Sequence, residues 1–137
     1  MLRLIRPRPR VPMTNIMLVD DNPLRASLRK SVLGRRHDDV VRVSDASEAL
    51  CLVETAEVAQ NLRLVITAHL TAGIPGPEFV AELRTRLPQV PVLVLSARTE
   101  TANYEGIPGV IHSDSHSNDE LRILVNALLL NAEKQTA

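Results

Sequence analysis

The residues able to do chemistry sit just past apolar runs. Asp20 and Asp21 follow Ile16–Val19, and Thr67 and His69 flank Ala68 at the end of the central run 62–66. Adjacent carboxylates are oxygen ligands for a hard divalent cation such as Mg²⁺. Their competing role is to cap and solvate a strand end. His69 has the chemistry to accept a phosphoryl group or ligate a metal, but the plainer reading is a loop residue. Thr67 reads as a replacement for an apolar strand residue. Ala68 has no functional group at all. Open parallel sheets collect their ligands at the carboxyl ends of the strands, so the place where chemistry is expected holds a methyl group. His112 and His116 have no spacing that closes a zinc site with Cys51. Cys51 lies in a helical pattern and is expected to be a buried structural thiol.

These positions must be held by buried strands and their following helices. The central run is too short to cross a membrane, and its β-branched residues suit a strand buried on both faces. Residues 16–19, 40–43, 92–95 and 110–111 supply four more strand runs. Pro23 opens a helix with Asn22 as its cap, and Leu24, Leu28, Val32 and Leu33 are its expected apolar stripe, with Gly34 at its end. Asp45 with Glu48 reads as a capping box for a helix reaching about Glu54. A third helix is predicted over 77–87, with Phe79, Val80 and Leu83 facing inward. Ser117 with Glu120 caps a last helix whose stripe is Leu121, Leu124, Val125, Leu128 and Leu129. Strands alternating with helices predict a three-layer α/β fold: a parallel (βα)5 sheet of flavodoxin-like order 2-1-3-4-5.

Composition narrows the function classes. The chain has 137 residues, sixteen basic and sixteen acidic side chains, and one cysteine. That size suits one domain. The lone thiol, the absence of a signal-like apolar core and the absence of a membrane span predict a cytoplasmic protein. Residues 1–13 form a basic, proline-rich arm carrying Arg3, Arg6, Arg8 and Arg10 and no acid. Without those four the remainder has 12 basic against 16 acidic residues, which disfavours a nucleic-acid surface. Phe79 and Tyr104 are the only aromatics, so no stacking platform for single strands exists. The main domain is drawn at 14–132, followed by a tail at 133–137.

The segments IMLVDDNPLRASLRKSVL, LRLVITAHLTAGIPGPEFV, VPVLVLSAR and GVIHSDSHSNDEL together resemble the response-regulator receiver domain of two-component signalling, CheY-like in fold. The resemblance spans about residues 14–132. It implies an acidic pair at Asp20 and Asp21, a terminal hydroxyl on the fourth strand at Ser96, and Asp114 in place of a common proline. It also implies what is missing. The phosphoacceptor Asp of the family falls on Ala68, its lysine on Ser113, and its aromatic switch residue on Val110.

A methyl group cannot attack phosphorus, so no acyl phosphate forms at Ala68. With one carboxylate gone, Asp20 and Asp21 are expected to hold Mg²⁺ only weakly, with no other cofactor. Acceptor and lysine are lost together, which leaves no unpaired charge behind. Ser96 is a candidate hydrogen-bonding group in this vestigial pocket, and Arg98 a candidate internal cation for the acidic pair. Ser96 and Ser113 are 17 positions apart, about one helical turn fewer than the family has. The helix between the fourth and fifth strands is therefore expected to be shortened or missing.

Together these features predict a non-enzymatic pseudo-receiver acting by protein contact. Its expected partner is a histidine kinase, another response regulator or an output protein, with a homodimer as a further arrangement. The expected partner surface includes Tyr104, Val110, Ile123 and Leu130; the competing reading has Tyr104, Ile107 and Pro108 folding back to cover the gap. The alternative function is a Mg²⁺-dependent phosphoacceptor using Thr67, His69 or the acidic pair.

Overall fold

The computed structural model describes residues 15–34, 40–68, 73–95, 104, 106–113 and 117–136, the last six of them as backbone. Five short apolar strands, β1 (Ile16–Val19), β2 (Val40–Val43), β3 (Leu64–Ala68), β4 (Val92–Leu95) and β5 (Val110–Ser113), pair in parallel in the order β2-β1-β3-β4-β5. This is the flavodoxin-like order that the strand–helix alternation predicts. The helices are α1 (Pro23–Gly34), α2 (Ala46–Val53), α3 (Ala56–Asn61), α4 (Gly76–Arg86) and α5 (Asn118–Thr136).

Successive side chains of a strand point to opposite faces, so the sheet feeds two cores. Met17, Val19, Val65, Val92 and Val94 pack with Ala49 and Val53 of α2 and Phe79, Val80 and Leu83 of α4. Ile16, Leu18, Leu64, Ile66 and Leu93 pack with Ala26 and Leu33 of α1 and Leu121, Val125 and Leu129 of α5. The α1/α5 layer is the one that matters for the acidic pair, because Asp20 continues the Ile16, Leu18 alternation toward it.

The caps form as the sequence implies. The Asn22 side chain accepts the Arg25 N–H at 2.9 Å, and Asp45 accepts the Glu48 N–H at 2.8 Å. Ser117 Oγ accepts from the Asp119 and Glu120 amides. Gly34 is the last residue of α1, but its φ is not positive, so it does not act as a left-handed cap.

Several expectations are corrected. In α1 the buried apolar positions are Ala26 and Leu33, while Leu24 and Leu28 are exposed. The helix turns Leu24 and Leu28 outward because its inward face is taken by Ala26 and Leu33 in the core and by Arg25 and Arg29, which Asp20 holds. Cys51 is exposed, since Ala49 and Val53 of α2 take the core face and leave position 51 on the other side. The predicted helix after Asp45 stops at Val53, and the separate short helix α3 follows, which the periodicity did not signal. The backbone of α5 continues to Thr136, past the boundary drawn at 132. The basic arm at 1–13 lies outside the described residues. So does most of the β4–β5 connection on which the shortened helix was expected. Within that connection Tyr104 sits in a single 3₁₀ turn and is buried.

Candidate functional site

The carboxyl ends of β1 and β3 bring the acidic pair and Ala68 to the same edge of the sheet. Val19 is level with Thr67 across the β1–β3 pairing, so Asp20 follows on β1 as Ala68 follows on β3. Ala68 is level with Leu95, and Leu95 with Ser113. The three positions where the resemblance places an acidic residue, an acceptor and a lysine thus lie at one end of the sheet, occupied by Asp20, Ala68 and Ser113.

Asp20 is the organising residue of this end. Its side chain is wholly buried, and burying a lone carboxylate is costly unless it is paired and hydrogen-bonded. Two arginines of α1 supply the pairing. Arg25 Nε donates to Asp20 Oδ2 at 2.9 Å and to Oδ1 at 3.2 Å, and its Nη2 donates to Oδ1 at 2.7 Å. Arg29 Nη1 donates to Oδ2 at 2.8 Å. The Asn22 amide adds a bond to Oδ1 at 3.0 Å. Both carboxylate oxygens are therefore saturated by charge-assisted donors. Arg42, on β2, donates from Nη2 to the Asp20 carbonyl at 2.9 Å. Arg25 and Arg29 are four residues apart, so one turn of helix sets them on the same side.

The charges respond accordingly. Burial pushes the Asp20 carboxyl up, but hydrogen bonds from Arg25 and the Asn22 amide, with the positive charges of Arg25 and Arg29, outweigh it and hold it below the ordinary value. The hydrogen bond to Asp20 raises Arg25. Burial lowers Arg29, with Asp20 opposing; a guanidinium remains charged regardless. Asp21 is more open, with Arg25 Nη2 at 3.6 Å from its Oδ1.

The other sequence-selected residues divide clearly. Thr67 is buried and its hydroxyl donates to the Ala68 carbonyl at 2.9 Å, so it fills a core position. Ser113 ends β5, half-buried. His112 lies one residue earlier, with its ring centroid 6.3 Å from that of Tyr104. Tyr104 is drawn into the α2/α4 core, and Ile107 and Val110 pack against that core. The fold-back of Tyr104 and Ile107 thus covers part of the surface on which a partner was expected, because a buried ring contributes more there than in water. Ile123 and Leu130 remain exposed. Ser96, His69, Arg98, Asp114 and His116 lie outside the described residues.

Arg25, Arg29 and Arg42 are the residues that sequence reasoning missed. The available signal was their placement: two arginines one helical turn apart, five and nine positions after a buried acid.

No family model matches the chain. It is 30% identical over 86 residues to the transcriptional regulatory protein AruR of Pseudomonas aeruginosa, covering 62% of this chain and 35% of that protein. The chain therefore spans about a third of the length of that curated relative. Among solved structures, the receiver domain of the hybrid histidine kinase CckA is 28% identical, with 84% of this chain and 98% of that one covered at a TM-score of 0.69. A response-regulator receiver domain from Clostridium thermocellum is 20% identical, covering 90% and 99% at a TM-score of 0.74. By these relationships the chain is similar to response-regulator receiver domains and shares their CheY-like fold.

Such a domain implies a divalent cation at the acidic pair, and the residues here do not fit one. Mg²⁺ takes near-octahedral oxygen ligands. Among the described residues the pocket offers one buried carboxylate already saturated by guanidinium and amide donors, one open carboxylate, and the Ala68 methyl. Among the described residues no group of three or more His, Cys, Asp or Glu side chains is gathered to hold a metal.

Proposed function

We propose that the chain is an atypical receiver in two-component phosphorelay signalling that works through protein contact, without aspartyl phosphorylation. The observation that carries this reading is Ala68 at the carboxyl end of β3, level across the sheet with Ser113. A methyl group stands at the acceptor position and a hydroxyl at the lysine position, so neither the nucleophile nor its counter-charge is there. Asp20, the remaining buried carboxylate, has both oxygens committed to Arg25, Arg29 and the Asn22 amide. The test is incubation with acetyl phosphate or beryllofluoride and Mg²⁺, read by intact mass and amide shifts. The expected result is an unchanged mass and spectrum. A phosphoryl group found on Thr67, His69 or the acidic pair would establish the alternative phosphoacceptor instead.

The partner reading rests on exposed apolar surface. Among the described residues the exposed large hydrophobics are Leu24 (73%), Leu28 (54%), Ile123 (63%) and Leu130 (56%), all on α1 and α5 of one layer. Exposed large apolar side chains concentrated on one layer are the surface from which an association site is read. The face is assigned to a signalling protein: a kinase, another regulator or an output protein, with self-association the further arrangement. Replacing Ile123 and Leu130 with Asp is expected to abolish capture of that partner while the fold persists. A wild-type chain that sediments as a monomer and loses no partner on mutation refutes the assignment. The domain is read as residues 14–132, with α5 running on into the tail, and as non-enzymatic and cytoplasmic. Among the described residues no helix is long and apolar enough to cross a membrane.

A further inference from the structure

We infer that Arg25 and Arg29 are the resident cation of the acidic pocket: the chain carries on α1 the positive charge that a divalent ion would bring, and so excludes such ions from Asp20 and Asp21. The inference concerns the same pocket and rests on its reading as one without aspartyl phosphorylation.

The charge count is the first support. Asp20 and Asp21 bring two negative charges, and Arg25 and Arg29 bring two positive ones, at 2.7, 3.6 and 2.8 Å. In the receiver pattern, three carboxylates are balanced by a divalent ion and a lysine. Here the third carboxylate and the lysine are replaced by Ala68 and Ser113, and the two charges left over are matched by two guanidiniums. Among the described residues the two carboxylates are thus neutralised without any ligand, and the guanidinium of Arg42 on the Asp20 carbonyl adds a further positive charge.

Geometry is the second support. A metal ion reaching Asp20 must displace at least one of the donors on each oxygen it uses, and apart from the Asn22 amide on Oδ1 those donors are cations that cannot deprotonate. Arg29 cannot simply swing into water, because its side chain is only 15% exposed. A displaced Arg29 would be a buried charge without its partner, an arrangement proteins avoid. Arg25 is the looser of the two at 42% exposed, so the pocket opens first on its side. The ion pairs also tie the first turns of α1 to the end of β1, which makes the two arginines positioning residues for that helix.

The test is titration of the full chain with Mn²⁺, read by paramagnetic broadening of amide signals, and with Mg²⁺, read by thermal unfolding; no phosphodonor is present. For the wild type, no selective broadening around residues 20–22 and no Mg²⁺-dependent rise in Tm are expected. Arg25→Gln is expected to gain broadening centred there, and R25Q/R29Q to bind Mn²⁺ at least about tenfold more tightly than R25Q, since each removed cation lowers the repulsion an incoming ion meets. Ligands that bind only the native state raise Tm, so Mg²⁺ is expected to stabilise the double variant. If that variant does not fold, the comparison of wild type with R25Q decides. Wild-type broadening at residues 20–22 at the concentrations that saturate a variant overturns the inference, as does a folded R25Q that stays as silent as the wild type. Phosphorylation of the wild type by acetyl phosphate, measured separately, would instead overturn the functional reading.

Discussion

Arginines lock both ends of this sheet, but by different means. At the carboxyl end, Arg25 and Arg29 close on a buried carboxylate. At the amino end, Arg84 of α4 closes on neutral backbone: Nη1 donates to the Leu87 and Val90 carbonyls, and Nη2 to the Pro88 carbonyl. Its guanidinium lies against Gly109, which leads into β5 with φ of 75°. The second lock is what a loop at the structural end of an α/β sheet needs, since its carbonyls must find donors. The first is unexpected, because the carboxyl end is where such sheets leave groups free for ligands. The difference teaches that the ligand end of this chain has been closed by internal partners, as the structural end is. Its charged lock costs more to break than the neutral one.

Breaking the charged lock should have the largest effect. Asp20→Ala leaves Arg29 buried beside no carboxylate, and removing one partner of a buried pair costs about 3–5 kcal/mol. Denaturant unfolding of D20A against wild type measures it. Gly109→Ala tests the neutral lock. A Cβ there would lie 2.5 Å from Arg84 Cζ, and the positive φ adds strain, so a loss of roughly 2 kcal/mol is expected. In an Arg84→Ala background the collision disappears and only the φ penalty, roughly 1 kcal/mol, should remain. A G109A cost that does not change with Arg84 would show that the two residues are not coupled.

The two locks should also differ in their response to acid. Asp20 titrates below its ordinary 3.8 in the folded chain. A depressed carboxyl contributes stability that is fully present above the unfolded value and is lost as pH falls through the folded one. Asp20→Asn should therefore narrow its stability gap to wild type only below about pH 4. The gap between Arg84→Ala and wild type should stay constant over the same range, because carbonyls do not titrate there. Urea midpoints from neutral pH downward compare the two.

The parts of the molecule that were legible in the sequence are those set by periodicity. The five apolar runs gave the strands, and the capping pairs Asp45 with Glu48 and Ser117 with Glu120 marked their helices. The place of Ala68 at the end of the central strand was legible because an apolar run leads into it. The orientation of α1 was not. Leu24 and Leu28 look like a core stripe at spacing four, but Ala26 and Leu33 take the core face and the demand of buried Asp20 for counter-charge draws in Arg25 and Arg29. Sequence reasoning sought the internal cation at Arg98, beside the fourth strand. Pattern reading treats arginine as surface and so gives no weight to arginines that a buried acid draws in. The break between α2 and α3 was also missed, since Thr55 carries no side-chain cap bond that would announce it.

The smallest effect is expected from the substitution that looks most like a repair. Ala68→Asp restores the acceptor in name, at a position that is 4% exposed. Its carboxyl would enter next to Asp20, whose two guanidiniums are already engaged, while Ser113 on β5 offers no cation. A like charge nearby and burial both favour the protonated form, which is a poor nucleophile. Nor is the divalent ion available to offset charge on the phosphoryl group, as long as Arg25 and Arg29 hold Asp20. A68D alone should therefore show no phosphoryl mass gain with acetyl phosphate and Mg²⁺, and no change in partner capture. Adding R25Q and R29Q frees the acidic pair, and adding Ser113→Lys supplies the missing counter-charge, so mass gain should first emerge in the combined variant. A68D alone that became phosphorylated and switched partner binding would show that acceptor, cation site and lysine are separable, and that the charged lock on Asp20 has no bearing on what this end of the sheet can do.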